Sequence, residues 1–222
     1  MTRVSTKPRA VVLNTRAANV HSVEKALRKI GSDPIVTSNP VEIACADALV
    51  LPGVGTSDAV MGALNTLGMS EPIIKFAASG KPLLCICVGL QVLFDSSEEG
   101  ELPGLGLIKG KVRLIPSGMK NGMGATLKVP HTGWNEVRFT EDDSEHNSIV
   151  KGIPQDSYFY FVHSYHCVPE TATDIVATTS YGIEICAVAA RGNVFGTQFH
   201  PEKSGDIGLK IYKNFLQIAS AI

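Results

Sequence analysis

The sequence predicts an α/β protein with a central, mostly parallel β-sheet flanked by helices, and with an additional antiparallel β part. In the first half of the chain, short apolar runs typical of buried strands alternate with segments of helical periodicity. From about residue 105, short β-rich runs separated by turns replace the helices. Strands that alternate with helices form βαβ units, and these build parallel sheets covered on both faces.

The elements of the first half follow from apolar runs and helical spacing. Four strands are predicted at 9–14, 33–38, 46–55 and 81–86. Apolar residues between the first two strands recur at steps of three and four, and Gly31 ends that helix. These residues are Val20, Val23, Ala26, Leu27 and Ile30. Two further helices are predicted at 70–79 and from 88 to about 95.

The second half ends in a helix that follows the β-rich runs. The runs are "LGLIKGKVRLI", "WNEVRF", "SYFYFVHSYHCV", "DIVATTSY", "IEICAVAA" and "NVFGTQFH". In the last segment, Ile207, Ile211, Phe215 and Ile218 lie on one face of a helix. The sequence contains no internal repeat.

Composition excludes several classes of function. The chain has 222 residues, a net charge of −1 and 44% hydrophobic residues, with no basic block, so nucleic acid and membrane surfaces are not expected partners. No apolar run is long enough for a signal peptide or a membrane span. The five cysteines are scattered and odd in number, which fits a reducing compartment and predicts a cytoplasmic protein.

The stretch "LLCICVGLQ" places Cys87 between a buried strand and a helix, which is the layout of a nucleophile elbow. The start of a helix favours a thiolate, the reactive form of cysteine. Cys85 lies inside the strand, where a free cysteine acts as a small buried hydrophobe. Taken alone, Cys87 fits a nucleophile and a core residue about equally well.

A cysteine nucleophile needs a base, and the base needs an orienting group. His200 and Glu202 in "QFHPEKS" meet this need, because residues two apart in extended chain point to the same side. Pro201 favours that extended conformation at His200. The glycine turn "LPGVG" (51–55) can offer N–H groups to an oxyanion. Each feature alone also fits an ordinary turn.

Two other motifs are rejected. "GLGLIKGK" (104–111) lacks the spacing and the hydroxyl residue of a phosphate-binding loop. His163 and His166 have a spacing that metals use, but residues three apart in a strand face opposite sides. No metal site is therefore predicted.

Together, "CVGLQ" (87–91), "PGVG" (52–55) and "HPE" (200–202) resemble the class I, triad-type glutamine amidotransferases. More narrowly, the chain resembles the glutaminase subunits of imidazole glycerol phosphate synthases. Six segments in the same order carry this resemblance. They are "NVHSVEKAL" (19–27), "LPGVG", "SSEEGELPGLGLIKGKV" (96–112), "KVPHTGWN" (128–135), "FVHSYH" (161–166) and "QFHPEKSGDIGL" (198–209).

The resemblance implies a flavodoxin-like fold and a single type-1 domain over 1–222, with about 1–8 as a flexible N-terminal extension. It implies that Cys87 attacks the side-chain amide of glutamine, that His200 transfers protons and that Glu202 orients His200. The implied oxyanion donors are the N–H groups of Val54 and Val88. The implied glutamine-binding residues are Gly53, Gly55, Gln91, Ser164 and Tyr165.

The resemblance also implies a partner. The partner would be a cyclase subunit of (β/α)₈ type that uses the ammonia to make imidazole glycerol phosphate and an aminoimidazole carboxamide ribotide. Asn19 and Lys203 are expected near that interface. No metal or organic cofactor is implied for this subunit.

The chain departs from the family pattern at two places. Cys85 stands where the family usually has glycine, so its thiol is expected to crowd the elbow slightly. "LNTRAAN" (13–19) replaces the usual opening Asp-Tyr-Gly-x-Gly-Asn, of which Asn19 remains.

Three other functions stay open at this stage. The first is a glutaminase subunit that serves anthranilate, GMP or pyridoxal phosphate synthesis. The second is a non-catalytic scaffold of the same fold. The third is a stand-alone hydrolase of γ-glutamyl or peptide bonds.

Overall fold

A computed structural model describes residues 7–16, 18–140 and 145–221. Within these ranges the strands are β1 (Ala10–Leu13), β2 (Ile35–Thr37), β3 (Ala48–Gly53), β4 (Leu83–Cys87), β5 (Ser96–Ser97), β6 (Gly110–Leu114), β7 (His131–Phe139), β8 (Ser157–His163), β9 (Tyr165–Pro169), β10 (Ile175–Ser180), β11 (Glu184–Arg191) and β12 (Val194–Thr197). The α-helices are α1 (Val20–Lys29), α2 (Val41–Ala44), α3 (Ser57–Thr66), α4 (Ser70–Ala78), α5 (Val88–Gln91) and α6 (Gly205–Ser220). Short 3₁₀-helices cover Glu145–Val150, Ala172–Asp174 and Pro201–Lys203.

The main sheet has the strand order β2-β1-β3-β4-β12-β11-β10-β7-β8. Its first five strands are parallel, and the other four join in antiparallel pairs. The order of the parallel part is that of flavodoxin-like doubly wound sheets. The predicted α/β class, with a parallel sheet and an antiparallel addition, is therefore confirmed.

The direction of the crossovers decides which helices cover which face. The chain moves from β1 to β2 in one direction, and from β2 through β3 to β4 in the other. Because such crossovers are right-handed, α1 covers one face, and α2, α3 and α4 cover the other. The contacts agree, since α1 packs against α6 while α4 packs against α2 and α3.

The core lies between the parallel strands and these helices. β3 and β4 are buried along their whole length, as expected for central strands covered on both faces. Strands β5, β6 and β9 form a second, three-stranded sheet. The chain leaves the main sheet for this smaller one at Ser164, between β8 and β9.

The predicted helix from 88 to about 95 is wrong in length, since α5 ends at Gln91. The N–H groups of Leu93 and Phe94 donate to the carbonyls three residues back, so the chain tightens out of the α-helix. The carbonyls of Val92 and Leu93 bind another segment. Leu105 N–H donates to the Val92 carbonyl at 2.7 Å, and Leu107 N–H donates to the Leu93 carbonyl at 2.9 Å. Tertiary contacts have thus overridden the local helical pattern.

Helix α3 was not predicted from the sequence. Its N-cap is nevertheless a standard one, because Thr56 Oγ1 accepts a hydrogen bond from Ala59 N–H at 3.2 Å. Gly62 and several polar residues obscure the apolar face of this helix.

Most of the extension predicted at about 1–8 lies outside the described residues. Within the described part, Lys7 Nζ donates to the Gly31 carbonyl at 2.7 Å.

Candidate active site

A cavity of about 320 Å³ opens at the carboxyl ends of β3, β4 and β12. This is the edge where open α/β sheets bind their ligands. The lining residues are Val54, Gly55, Cys87, Val88, Gln91, Glu99, Pro130, Val162, His163, Ser164, Tyr165 and His200. Cys87 ends the middle strand, so "PGVG" flanks it on one side and His200 on the other.

Cys87 has the backbone of a nucleophile elbow. Its φ is 57° and its ψ is −111°, a conformation that residues other than glycine rarely adopt. The thiol is almost buried, with 4% of the residue exposed, yet it lines the cavity. The strained turn thus holds the sulfur at the cavity wall and leaves little conformational freedom to its backbone.

Glycines let the elbow pack tightly between its neighbours. A Cβ on Gly89 would lie 2.2 Å from the Leu51 carbonyl oxygen, and one on Gly53 would lie 2.6 Å from the Gly89 nitrogen. Gly196, the register partner of Cys85, leaves room for Leu90 in the same way. The elbow forms with a thiol at residue 85, whose register partners are Gly196 on one side and Leu51 on the other.

His200 and Glu202 are hydrogen-bonded, with 2.7 Å between His200 Nδ1 and Glu202 Oε1. Both side chains are buried, at 3% and 2% exposure. Tyr212 Oη on α6 lies 3.5 Å from the other carboxylate oxygen of Glu202. The backbone of His200 is also held, because its carbonyl accepts from Ser204 Oγ at 2.7 Å. The imidazole therefore has a defined orientation.

The imidazole of His200 interacts electrostatically with Cys87. Nε2 is buried and makes no hydrogen bond of normal geometry. Burial alone would lower the pKa of His200, but Cys87 and Glu202, through hydrogen bonding and charge, outweigh it and raise this pKa to about 9. The arrangement therefore favours a cationic imidazole beside the sulfur at neutral pH.

The remaining buried cysteines are chemically inert. Burial raises the pKa of Cys186 to about 12, and it raises the pKa values of Cys85 and Cys167 well above the ordinary range. These thiols stay protonated and cannot act as nucleophiles. The interpretation of Cys85 as a small core residue agrees with its complete burial.

The two residues proposed for the oxyanion, Val54 and Val88, both line the cavity, and Val88 packs beside the turn that carries Val54. Val88 N–H belongs to the first turn of α5, where backbone donors have no partner within the helix. A helix of only four residues has a small dipole, so these local N–H groups matter more than the macrodipole invoked from the sequence. Val54 follows β3 and is 38% exposed, and Gly55 has a φ of 89°.

Gln91, Ser164 and Tyr165 line the same cavity. Gln91 Nε2 donates to the Tyr165 carbonyl at 3.1 Å and to Gln198 Oε1 at 3.3 Å. Gln198 Nε2 is in turn 4.0 Å from Cys87 Sγ. Gly53, by contrast, does not line the cavity and supports the elbow through packing.

Sequence reasoning missed three residues of the site. Glu99, which was not predicted as a site residue, lines the cavity, and its Oε2 accepts from Ser57 N–H at 2.7 Å. Gln198 begins the motif "QFHPEKS" and Tyr212 lies on α6, and both orient other side chains of the site. Glu99 lies within the segment "SSEEG", and the fold brings it to the cavity and to Ser57.

The two residues expected at an interface are both exposed, and they belong to neighbouring parts of the fold. Asn19 precedes α1, and Lys203 ends the 3₁₀-helix against which α1 packs. Lys203 Nζ lies 5.5 Å from the centre of the Tyr160 ring. Around it, the β7–β8 hairpin exposes large side chains. They are Trp134, Tyr158 and Val162, at 56%, 57% and 36% exposure.

Two searches of the described residues bear on other kinds of site. Across 7–16, 18–140 and 145–221, no group of three or more His, Cys, Asp or Glu side chains is arranged to hold a metal ion. In the same part of the chain, no helix combines the length and hydrophobicity needed to cross a membrane. All five cysteines are free thiols.

Comparison with known proteins agrees with this geometry. The glutamine amidotransferase class-I family matches residues 11–219. An imidazole glycerol phosphate synthase subunit HisH from Synechococcus sp. is 44% identical over 214 residues, covering 96% of this chain and 94% of the relative. The subunit of the same name from Methanosarcina acetivorans is 46% identical over 213 residues, covering 95% and 98%.

Solved structures share the fold at low sequence identity. A crystal structure of a glutamine amidotransferase superposes with a TM-score of 0.71 at 17% identity, covering 94% of this chain and 98% of the other. The structure of PurLQS from Thermotoga maritima gives a TM-score of 0.69 at 21% identity, covering 96% and 99%. The chain belongs to the glutamine amidotransferase class-I family.

Proposed function

We propose that this chain is the glutaminase subunit of an imidazole glycerol phosphate synthase, hydrolysing glutamine and passing the ammonia to a cyclase subunit. The observation that carries the chemistry is the strained Cys87 elbow beside a buried His200–Glu202 pair. The name of the relatives at 44% and 46% identity supports the particular synthase. The same name argues against a glutaminase subunit that serves anthranilate, GMP or pyridoxal phosphate synthesis.

The first half-reaction is acyl transfer to sulfur. The Cys87 thiolate attacks the side-chain carbonyl carbon of glutamine and forms a C–S bond. The oxyanion that develops is held by the N–H groups of Val88 and Val54. Protonated His200 then gives its Nε2 proton to the amide nitrogen, the C–N bond breaks and ammonia leaves. The product on the enzyme is a γ-glutamyl thioester.

The second half-reaction returns the enzyme to its starting state. His200, now neutral, accepts a proton from water, and the hydroxide attacks the thioester carbon. The C–S bond breaks, glutamate leaves and the thiolate and imidazolium are restored. Glu202 supports the cation each time it forms, because its carboxylate is fixed 2.7 Å from Nδ1.

The cavity contains groups that suit a free α-amino acid. Glu99 is the acidic side chain at its wall among the described residues, and we assign it to the α-ammonium group of glutamine. Backbone N–H groups of Ser164 and Tyr165 are assigned to the α-carboxylate. Gln91 and Gly55 would complete the contacts. Glu99 is pre-positioned by Ser57 N–H, so little ordering is needed on binding.

The exposed face of the β7–β8 hairpin is the docking surface that we assign to the cyclase. Trp134 and Tyr158 lie on it, and Val162 both belongs to it and lines the active-site cavity. Exposed aromatic residues of this size are typical anchors of protein interfaces. A partner seated here would close over the cavity, together with Asn19 and Lys203.

Two further statements belong to the proposal. We take the whole chain, 1–222, as a single glutamine amidotransferase domain, of which the family match covers 11–219. We place it in the cytoplasm, because five free thiols suit a reducing compartment.

The test is glutamate release from the purified chain alone, with the cyclase subunit, and with the cyclase subunit plus its nucleotide substrate. We expect very slow hydrolysis alone and stimulation by orders of magnitude in the full mixture. Trp134→Ala should weaken complex formation, whereas Leu102→Ala, an exposed apolar position outside this face, should not. Equal rates in all three mixtures would favour a stand-alone hydrolase.

A further inference from the structure

We propose that His131 and His163 form a pair of neutral, directionally hydrogen-bonded imidazoles that positions the Ser164–Tyr165 segment for glutamine. Both are positioning residues, acting through the backbone that lines the cavity rather than on the reacting atoms. This inference rests on the proposed glutaminase function, which it deepens.

Three contacts connect the pair to the active site. His163 Nδ1 lies 2.8 Å from the Tyr165 carbonyl oxygen, and His163 Nε2 lies 3.0 Å from His131 Nδ1. At the outer end, His131 Nε2 lies 3.3 Å from Asn135 Nδ2. These contacts form a chain of hydrogen bonds that runs from β7 through the two imidazole rings to the wall of the cavity.

Both ends of this chain have fixed roles. The Tyr165 carbonyl can only accept, so His163 carries its proton on Nδ1. Asn135 Nδ2 must donate, because it also donates to the Ser180 carbonyl at 2.9 Å while Asn135 Oδ1 accepts from Glu136 N–H at 2.9 Å. His131 Nε2 is therefore an acceptor. The one arrangement that satisfies both ends puts a single proton on each ring, at Nδ1.

The surroundings of the rings favour this neutral state. His131 is 3% exposed and His163 is 6% exposed. His131 is stacked between Phe161 and Tyr181, with ring centres 4.8 Å and 3.9 Å away. Burial lowers the pKa of His131 to about 4 and, with the nearby histidines, that of His163 to about 3. Neither ring carries a charge near neutral pH.

The Tyr165 carbonyl is the point that the pair controls. It accepts both from His163 and from Gln91 Nε2, at 2.8 Å and 3.1 Å, so both lone pairs are used. The segment lies where the chain leaves the main sheet for the small sheet, and its other backbone anchor is Ile115 N–H, which donates to the Ser164 carbonyl at 2.9 Å. Without the imidazole, this carbonyl retains only its bond to Gln91, so the neighbouring N–H groups that we assign to the substrate are held less firmly.

Two substitutions at His163 separate the contacts by geometry. In His163→Asn, the amide nitrogen can take the place of Nδ1 and keep the bond to Tyr165. In His163→Gln, the amide reaches the place of Nε2 and loses that bond. The loss of one hydrogen bond predicts an increase of about tenfold in the KM for glutamine for His163→Gln, with a much smaller change in kcat. His163→Asn should retain a KM within about threefold of the wild type.

The same logic gives a second pair of variants at His131, away from the cavity wall. His131→Asn keeps a donor toward His163, whereas His131→Phe keeps the stacking and removes the donor. The KM should rise for His131→Phe and remain near the wild-type value for His131→Asn. Equal KM values for Asn and Gln at 163, and for Asn and Phe at 131, would overturn the proposal.

A spectroscopic measurement tests the pair without any assay of turnover. Nitrogen-15 NMR of the ring nitrogens, assigned with the variants above, should show both histidines neutral and protonated at Nδ1 from about pH 6 upward. Protonation at Nε2 in either ring would overturn the proposal. If the wild type fails to hydrolyse glutamine with its partner, the proposed function fails, while the NMR result still decides whether the pair exists.

Discussion

Gly53 and Cys87 are register partners at the ends of the neighbouring parallel strands β3 and β4. This pairing places the first glycine of the "PGVG" turn directly beside the sulfur-bearing residue. It also leaves no space for a side chain, since a Cβ on Gly53 would lie 2.6 Å from the Gly89 nitrogen. The "PGVG" turn, to which we assign an oxyanion donor, and the elbow therefore pack as one unit.

Gly53→Ala should separate the turn from the elbow. Overpacking of this kind typically costs about 1–3 kcal/mol in the free energy of unfolding. We expect a further loss of glutaminase activity, because both proposed oxyanion donors, the N–H groups of Val54 and Val88, would move. Chemical denaturation and glutamate release measure the two effects. Gly62→Ala is the control, since its Cβ would be 4.0 Å from Leu102 Cδ1 and it lies within a helix. Similar behaviour of both variants would contradict the packing argument.

Cys87→Ser should abolish glutamine-dependent synthesis by the complex and leave ammonia-dependent synthesis intact, because a hydroxyl is a far weaker nucleophile at neutral pH. Cys85→Ser, which changes a buried thiol of the same strand, should retain most turnover at a modest cost in stability. The measurement is product formation with glutamine and with ammonium salts. The opposite pattern would show that the nucleophile is Cys85.

His200→Asn should reduce glutaminase turnover more than Glu202→Gln does. General acid–base groups typically contribute about 10²–10⁴-fold, whereas Glu202 only orients and supports the imidazole. Tyr212→Phe should cause a smaller loss still, because its contact with Glu202 is 3.5 Å long. Single-turnover kinetics of glutamate release would rank the three variants. A larger effect of Tyr212→Phe than of His200→Asn would refute the assignment.

The pKa of His200 should depend on Cys87. Cys87 raises this pKa most, so Cys87→Ala should lower it from about 9. Because the folded pKa exceeds the ordinary value of 6.5, the charged ring stabilises the fold fully below that value, and this contribution is lost as pH rises through about 9. NMR titration of the ring measures the pKa, and denaturation across this window measures the stability. An unchanged pKa in Cys87→Ala would disprove the coupling.

Val54→Pro should remove the stimulation by the partner and leave complex formation largely intact. Proline has no N–H, so one oxyanion donor is lost, which typically costs about 10²–10³ in turnover. Within this turn, Gly53 is tightly packed and cannot move easily. Gly55 has a φ of 89° and no atom within 4 Å of its Cβ position, so the turn can change conformation at Gly55. Glutamate release with and without the cyclase tests this. Full stimulation of Val54→Pro would exclude the Val54 N–H as a donor.

Local patterns were sufficient for the elements whose signal lies in their own residues. The strand at 9–14 and the helix from Val20 appear close to the predicted bounds, because burial of an apolar run or stripe depends on spacing alone. The helix predicted to extend to about 95 ended at Gln91, where the chain tightens into turns and the Val92 and Leu93 carbonyls bind the segment from Leu105. The pattern of residues 88–95 by itself gives no signal for these contacts with a distant segment.

The sequence by itself determined the α/β class, the elbow at Cys87 and the closeness of His200 to Glu202, because each depends on neighbours in the chain. Only the tertiary structure decided that β12 lies beside β4. This pairing brings His200 close to the sulfur of Cys87, although the two residues are 113 positions apart in the sequence. It likewise placed Glu99 at the cavity and joined His131 to His163. These contacts arise from strand order and from a chain that changes sheets at Ser164, and both follow from packing of the whole domain rather than from any local pattern.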